Sequence, residues 1–129
     1  MKTVRVVAAV VEREGRYLVT QRRPGAVLPD LWEFPGGKVE PGERDEVALA
    51  REFRERLGAE VEVGSVISTV EHTYERYTVE LKLYDCRLVG EALEARAVAQ
   101  YRWLSSAEFD DHTFTPADEA SMNQLLGED

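Results

Sequence analysis

The stretch GKVEPGERDEVALAREFRERLGA, Gly37 to Ala59, joins a turn punctuated by glycine and proline to an amphipathic run, and its reading decides the fold. From Glu43 to Leu57 the pattern is helical. Glu43, Asp45 and Glu46 bring negative charge to the first turn, where unpaired N–H groups favour it, and Leu49, Ala50, Phe53 and Leu57 form an apolar stripe. Gly58 suits the C-terminal stop. Residues three apart share a helix face, so Glu52 and Glu55 project together, away from Phe53. Upstream, LWEFPGGKVEPGE gathers Pro35, Gly36, Gly37, Pro41 and Gly42 around a short apolar segment. Such glycines serve either a tight turn or the close approach of a ligand to backbone. The carbonyls of this turn and the two carboxylates are hard oxygen donors of the kind magnesium accepts beside substrate phosphates; a charged pair on a helix is also the ordinary form of a solvated face.

Outward from this stretch the signals are mostly strands. Residues 3–11 are a β-branched run that Gly15 separates from RYLVTQR, which predicts two strands joined by a turn. PGAVLPD reads as a loop. EVEVGSVISTVEHTYE and RYTVELKLYDCRLV alternate polar and apolar residues and predict two long paired strands, with QYRWL a shorter one. Thr115-Pro116 opens a closing helix over ADEASMNQLL, with proline at its first position. Strands and helices interleaved in this way predict an α+β fold with a mixed central β-sheet sandwiched between helices. A length of 129 residues suits one domain, residues 1–129.

The formal net charge of -9 argues against a nucleic-acid polymer as partner and leaves small anions open if a cation offsets them. With 43% hydrophobic and 32% charged residues the composition is that of a soluble globular chain. No apolar run approaches a membrane span, and the start reads as a strand without a cleavage site, so a cytoplasmic protein with no membrane partner is expected. Cys86 is the single cysteine, which leaves no internal disulfide or zinc pair and predicts a core-filling role.

Gly37, Glu43, Arg51, Glu52, Phe53, Glu55, Gly58 and Ala59 stand in register with the Nudix box, G-x(5)-E-x(7)-R-E-U-x-E-E-x-G-U, where U is apolar. QRRPG followed by LWEFPGGKVEPGE resembles the MutT-type branch of that family, and FTPADEA resembles its C-terminal nucleotide-binding segment. The resemblance covers nearly the whole chain. It implies the Nudix fold and magnesium-dependent hydrolysis, with manganese as an alternative ion, of a nucleoside triphosphate to monophosphate and pyrophosphate. Oxidised-guanine and cytidine nucleotides are the substrates it favours, and the chain would act as a monomer or homodimer. Residue by residue, it makes Glu52 and Glu55 metal ligands or a base for water, and the Gly36 carbonyl a further ligand. Arg51 would orient a glutamate of the box, and Glu43 would brace the loop or assist the metals. At the nucleotide end it points to Arg22, Phe34 and Asp118, with Tyr74 able to stack on a base. Each has a plain alternative: an ordinary helix ion pair for Arg51, a favourable helix N-terminus for Glu43 and Asp118, a strand-end charge for Arg22, and core packing for the aromatics.

Two positions depart from the family pattern. Arg56 stands where the box has its second glutamate of the pair, and Ala97 stands where an acidic ligand is expected before Trp103, with Glu94 the nearest acid. An exposed ion pair from Glu52 to Arg56, four residues on, contributes about 0.3–0.5 kcal/mol. The same cation about 5 Å from a divalent metal, at an effective dielectric of about 20, is opposed by several kcal/mol. If Arg56 faces the metals, magnesium binding suffers; an active enzyme with a reduced metal set would have Arg56 point away or contact a substrate phosphate directly, and a weak or specialised hydrolase is a further account. The alternative function is a catalytically silent or weak nucleotide-binding module on the same fold.

Overall fold

The computed structural model describes residues 1–126. Strand β1, Lys2–Arg13, lies at the centre of the sheet. Side chains alternate across a strand, so Val7, Ala9 and Val11 pack on one side while Ala8 and Val10 pack on the other, all of them buried. This double burial explains why the segment reads as an unbroken apolar run. Strand β2 is Arg16–Gln21, β3 is Trp32–Glu33, β4 is Gly36–Lys38, β5 is Glu60–Thr73, β6 is Tyr77–Val89 and β7 is Gln100–Leu104. The order along the sheet is β3-β2-β1-β6-β5, with β4 added to β1 and β7 to β2. β1 runs parallel to β6, from Lys2 opposite Tyr77 to Val11 opposite Cys86, whereas the long β5 and β6 pair antiparallel. The sheet is therefore mixed. Away from β6, the flank of β1 is divided: Val6–Ala8 pair with β4, and Glu12 and Arg13 with β2. That division sets the glycine turn against the middle of the central strand.

Helix α1, Asp45–Leu57, covers one face with Ala48, Leu49, Phe53 and Leu57. Burying each larger side chain of that stripe contributes about 1.5–3 kcal/mol before entropy is counted. Helix α2, Pro116–Leu126, and a 3-10 helix at Ser106–Asp111 cover the other face through Ala117, Met122 and Phe109. Helices thus lie on both faces of the sheet, as the interleaved pattern predicts. Cys86 is buried in the core beneath α1, and its burial pushes the thiol up to about 12. Among the described residues no helix is long and apolar enough to cross a membrane.

Local details differ from the sequence expectations for physical reasons. α1 begins at Asp45 rather than Glu43, and Arg44 before it is extended, at φ -78° and ψ 148°. The Glu43 N–H donates instead to the Glu40 carbonyl at 2.9 Å, closing a turn in which Gly42 takes φ 77°. Asp45 is buried: it accepts the Tyr84 hydroxyl at 2.8 Å and pairs with Arg5, fastening the helix start to the sheet. Ala48 joins the buried stripe in place of Ala50, which is half-buried. Strands β3 and β4 and the 3-10 helix are too short to leave a periodic signal.

Candidate active site

A cleft of about 660 Å³ opens where the glycine turn, α1, the first half of β1, the β5–β6 turn and the start of α2 converge. The two adjacent glycines leave different kinds of space. A Cβ at Gly36 would run into the backbone of Val7 and Ala8, so β4 can lie this close to β1 only with glycine there. A Cβ at Gly37 would overlap the carboxyl of Glu52. Glycine at 37 is what lets Glu52 sit against the turn.

Arg51 organises this end of the cleft. Its Nε and Nη2 donate to the two carboxylate oxygens of Glu43, each at 2.8 Å. Nη2 also reaches the Lys38 carbonyl at 3.1 Å, while Nη1 donates to Glu52 Oε1 at 3.0 Å and lies 3.5 Å from Glu55 Oε2. The Arg51 fork and the Glu40 N–H hold Glu43 down to about 2, and the bond to Glu43 raises Arg51 in turn, so the guanidinium stays charged. Glu52 is 12% exposed, and its second oxygen accepts Arg56 Nε at 3.0 Å. Glu55 is 57% exposed and faces solvent beside it. Arg56 lines the cleft.

The other end of the cleft holds residues that spacing alone does not connect. Arg22 donates from Nη1 to both oxygens of Glu33, at 3.3 and 3.2 Å, and from Nε to the Val27 carbonyl at 2.5 Å. Burial is the main cause that raises Glu33, with Arg22 opposing it. Asp118 is buried and accepts the Phe34 N–H at 3.0 Å and the Thr115 hydroxyl at 2.5 Å. Burial first and the charge of Glu33 second push Asp118 up to about 7. Phe34 is 3% exposed, with its ring edge-on to Phe109 at 6.3 Å, so it forms floor rather than an open stacking face. Tyr74 lines the cleft and stacks on Tyr77 at 5.1 Å.

The structure thus ties Glu43, Glu52 and Glu55 to Arg51, with Glu52 the one of these four that lines the cleft, and places Arg22 and Asp118 at the far end. Glu33 is the residue that sequence reasoning missed, although an acid set between the apolar Trp32 and Phe34 was a usable signal. Glu94 faces Arg96 at 3.1 Å, and neither it nor Ala97 lines the cleft; the Ala97 N–H instead closes on the Arg56 carbonyl at 3.2 Å. For a divalent cation, Glu52, Glu55 and the Gly36 carbonyl have the right donor chemistry, with both Glu52 oxygens at present accepting guanidinium nitrogens of Arg51 and Arg56. Among the described residues no group of three or more His, Cys, Asp or Glu side chains gathers for a metal. The donor set fits a cation held by two carboxylates and lacks a third.

A family model described as NUDIX domain matches residues 6–124, and the chain belongs to the Nudix family. A CTP pyrophosphohydrolase of Escherichia coli K12 is 36% identical over 118 residues, 92% of this chain and 87% of that one. An 8-oxo-dGTP diphosphatase of Haemophilus influenzae is 30% identical across 98% of this chain and 94% of its own. The solution structure of the DNA mismatch repair protein MutT, a Nudix hydrolase of methicillin-resistant Staphylococcus aureus 252, is 37% identical with a TM-score of 0.76 over 98% of both chains. Within the family, these relatives define the chain as a MutT-like Nudix hydrolase.

Proposed function

We propose that this chain hydrolyses a nucleoside triphosphate to the monophosphate and pyrophosphate, with cytidine and oxidised-guanine nucleotides as its substrate class. The observation that carries the reading is Glu52, held by Arg51 against the Gly36–Gly37 turn inside a cleft large enough for a nucleotide. The E. coli and H. influenzae relatives named above support it by what they act on. Magnesium is the proposed ion, with manganese able to replace it; Glu52, Glu55 and the Gly36 carbonyl would hold it, and it would offset phosphate charge. Glu52 also has the position to accept a proton from the attacking water. Water attacks one of the two phosphorus atoms that share the α–β bridging oxygen; its oxygen forms the new P–O bond as the bridging P–O bond breaks, and the monophosphate and pyrophosphate separate. Arg51 orients Glu52, and Glu43 fixes Arg51.

At the base end, Asp118 and Glu33 are proposed to read the edge of the base, with Arg22 holding Glu33 in place and Phe34 lending the backbone N–H that orients Asp118. An ionised carboxylate accepts only and favours an exocyclic amino group such as that of cytosine, while a protonated one also donates. Every group named comes from one chain, so the reading holds for a monomer and for a homodimer. A cytoplasmic setting, where nucleotides and a free buried thiol are both at home, belongs to the same proposal.

The test is pyrophosphate release from a panel of ordinary and oxidised nucleoside triphosphates, with and without magnesium, in the natural chain and in Glu52→Gln. Magnesium-dependent release that disappears in the variant supports the hydrolase. One observation favours a second reading, a binding module without turnover: both oxygens of Glu52 are already held by guanidinium groups. Nucleotide affinity with no release from any member of the panel would establish that reading instead.

A further inference from the structure

We propose that Arg56 is a phosphate-binding residue whose guanidinium takes the place of part of the cationic charge in the cleft, so that the chain grips a substrate phosphate directly and retains fewer divalent cations than a glutamate at this position would. The inference rests on the reading of the cleft as a site for a phosphorylated substrate.

The geometry favours Arg56 over its neighbours. Arg51 is fully engaged by Glu43, Glu52, Glu55 and the Lys38 carbonyl. Arg22 is engaged by Glu33 and the Val27 carbonyl. Arg56 uses only its Nε, on Glu52, and among the described residues its two Nη nitrogens have no hydrogen-bond partner. A guanidinium fixed by one nitrogen presents the others in a planar fork, the form that matches two phosphate oxygens. Its side chain is 26% exposed and its placement on the cleft wall is set by α1, so little freedom remains to be lost on binding. Lys38 lines the same wall and adds a second positive charge beside the glycine turn.

The same placement works against metal. Arg56 donates to one of the two carboxylates available for a cation, so a metal at Glu52 must either displace that donor or share the oxygen with a positive neighbour. A substrate phosphate resolves the conflict, because its oxygens accept from the guanidinium and compensate its charge.

Two binding measurements test the inference without turnover. The first is calorimetric titration of inorganic pyrophosphate in the presence of EDTA. The natural chain should bind it, Arg56→Gln should weaken binding roughly ten- to a hundredfold, the loss expected for a charged hydrogen bond, and Arg56→Lys should recover part of that loss. The second counts bound manganese by electron paramagnetic resonance, where Arg56→Glu should hold more manganese than the natural chain while losing metal-free pyrophosphate binding. Equal pyrophosphate affinity in the natural chain and Arg56→Gln, no metal-free binding at all, or no added manganese in Arg56→Glu would each overturn it. If pyrophosphate binds through Arg56 and no nucleotide is hydrolysed, the hydrolase reading fails alone; if hydrolysis stands and binding ignores Arg56, only this inference fails.

Discussion

The two faces of α1 are made of one continuous run of sequence and obey different physics. Toward the sheet, Ala48, Leu49, Phe53 and Leu57 are held by non-directional packing, where volume is what counts. On the polar face, Arg51, Glu52, Glu55 and Arg56 are linked by directional bonds, where both oxygens of Glu52 have a guanidinium donor. The buried face tells the helix where to lie, and the polar face uses that fixed position to aim charges. Substitutions on the first should therefore change stability, and those on the second should change chemistry.

Phe53→Ala is expected to give the largest effect, lowering stability by about 3–5 kcal/mol in chemical denaturation, as for other large-to-small changes in a packed core. The fraction that stays folded should retain its turnover per molecule; a matching loss of turnover would mean the two faces are not separable. Glu52→Gln is next, and should reduce pyrophosphate release about a hundredfold or more with little change in Tm. Arg51→Lys loses the planar fork, so turnover should fall about tenfold. Glu43 should rise from about 2 toward the ordinary carboxylate range, a shift readable by NMR titration. A Glu43 carboxyl unmoved by that change would show that the loop, not Arg51, sets its charge.

The paired glycines sharpen the same contrast. Gly36→Ala forces a Cβ into backbone and should impair folding outright, whereas Gly37→Ala meets only the end of a side chain. The second variant should fold with a stability change below about 1 kcal/mol and still lose turnover, because Glu52 must move aside. The smallest effect concerns pH. Asp118 is raised to about 7 in the folded chain, so the folded state keeps a proton that the unfolded chain releases at lower pH. Its contribution to stability is full in acid and is lost as pH rises through about 7. Asparagine does not titrate, so the Tm advantage of the natural chain over Asp118→Asn should shrink by a few degrees between about pH 5 and about pH 8. An advantage that is flat with pH would show that Asp118 is ionised throughout.

Most of the fold was legible because its signals are local and periodic. The α1 stripe, the alternation along β5 and β6 and the proline at the start of α2 can each be read from within one segment. What was not legible depended on contacts between segments. Asp45 reads as an acid suited to the first turn of a helix, and only the approach of Tyr84 and Arg5 makes it an internal tie. Glu33 and Arg22 are separated by a loop, and their pairing is invisible until β3 lies against β2. For Arg56, spacing placed it one turn beyond Glu52 but could not say what stood opposite. The direction of the guanidinium, which carries the chemical question, is a property of the cleft.

The parallel pairing of β1 with β6 also has a consequence for how the chain is made. Lys2 to Val11 leave the ribosome before their partners from Tyr77 to Cys86, which follow only after the glycine turn, α1 and β5. Until then the central strand of the finished sheet is an apolar ribbon with one flank open, and closing it requires a long loop to lose entropy before any pairing repays it. The strand that gives the mature protein its core is thus the segment most exposed to wrong partners during synthesis, and a chain stopped before Tyr77 should aggregate where the complete chain does not.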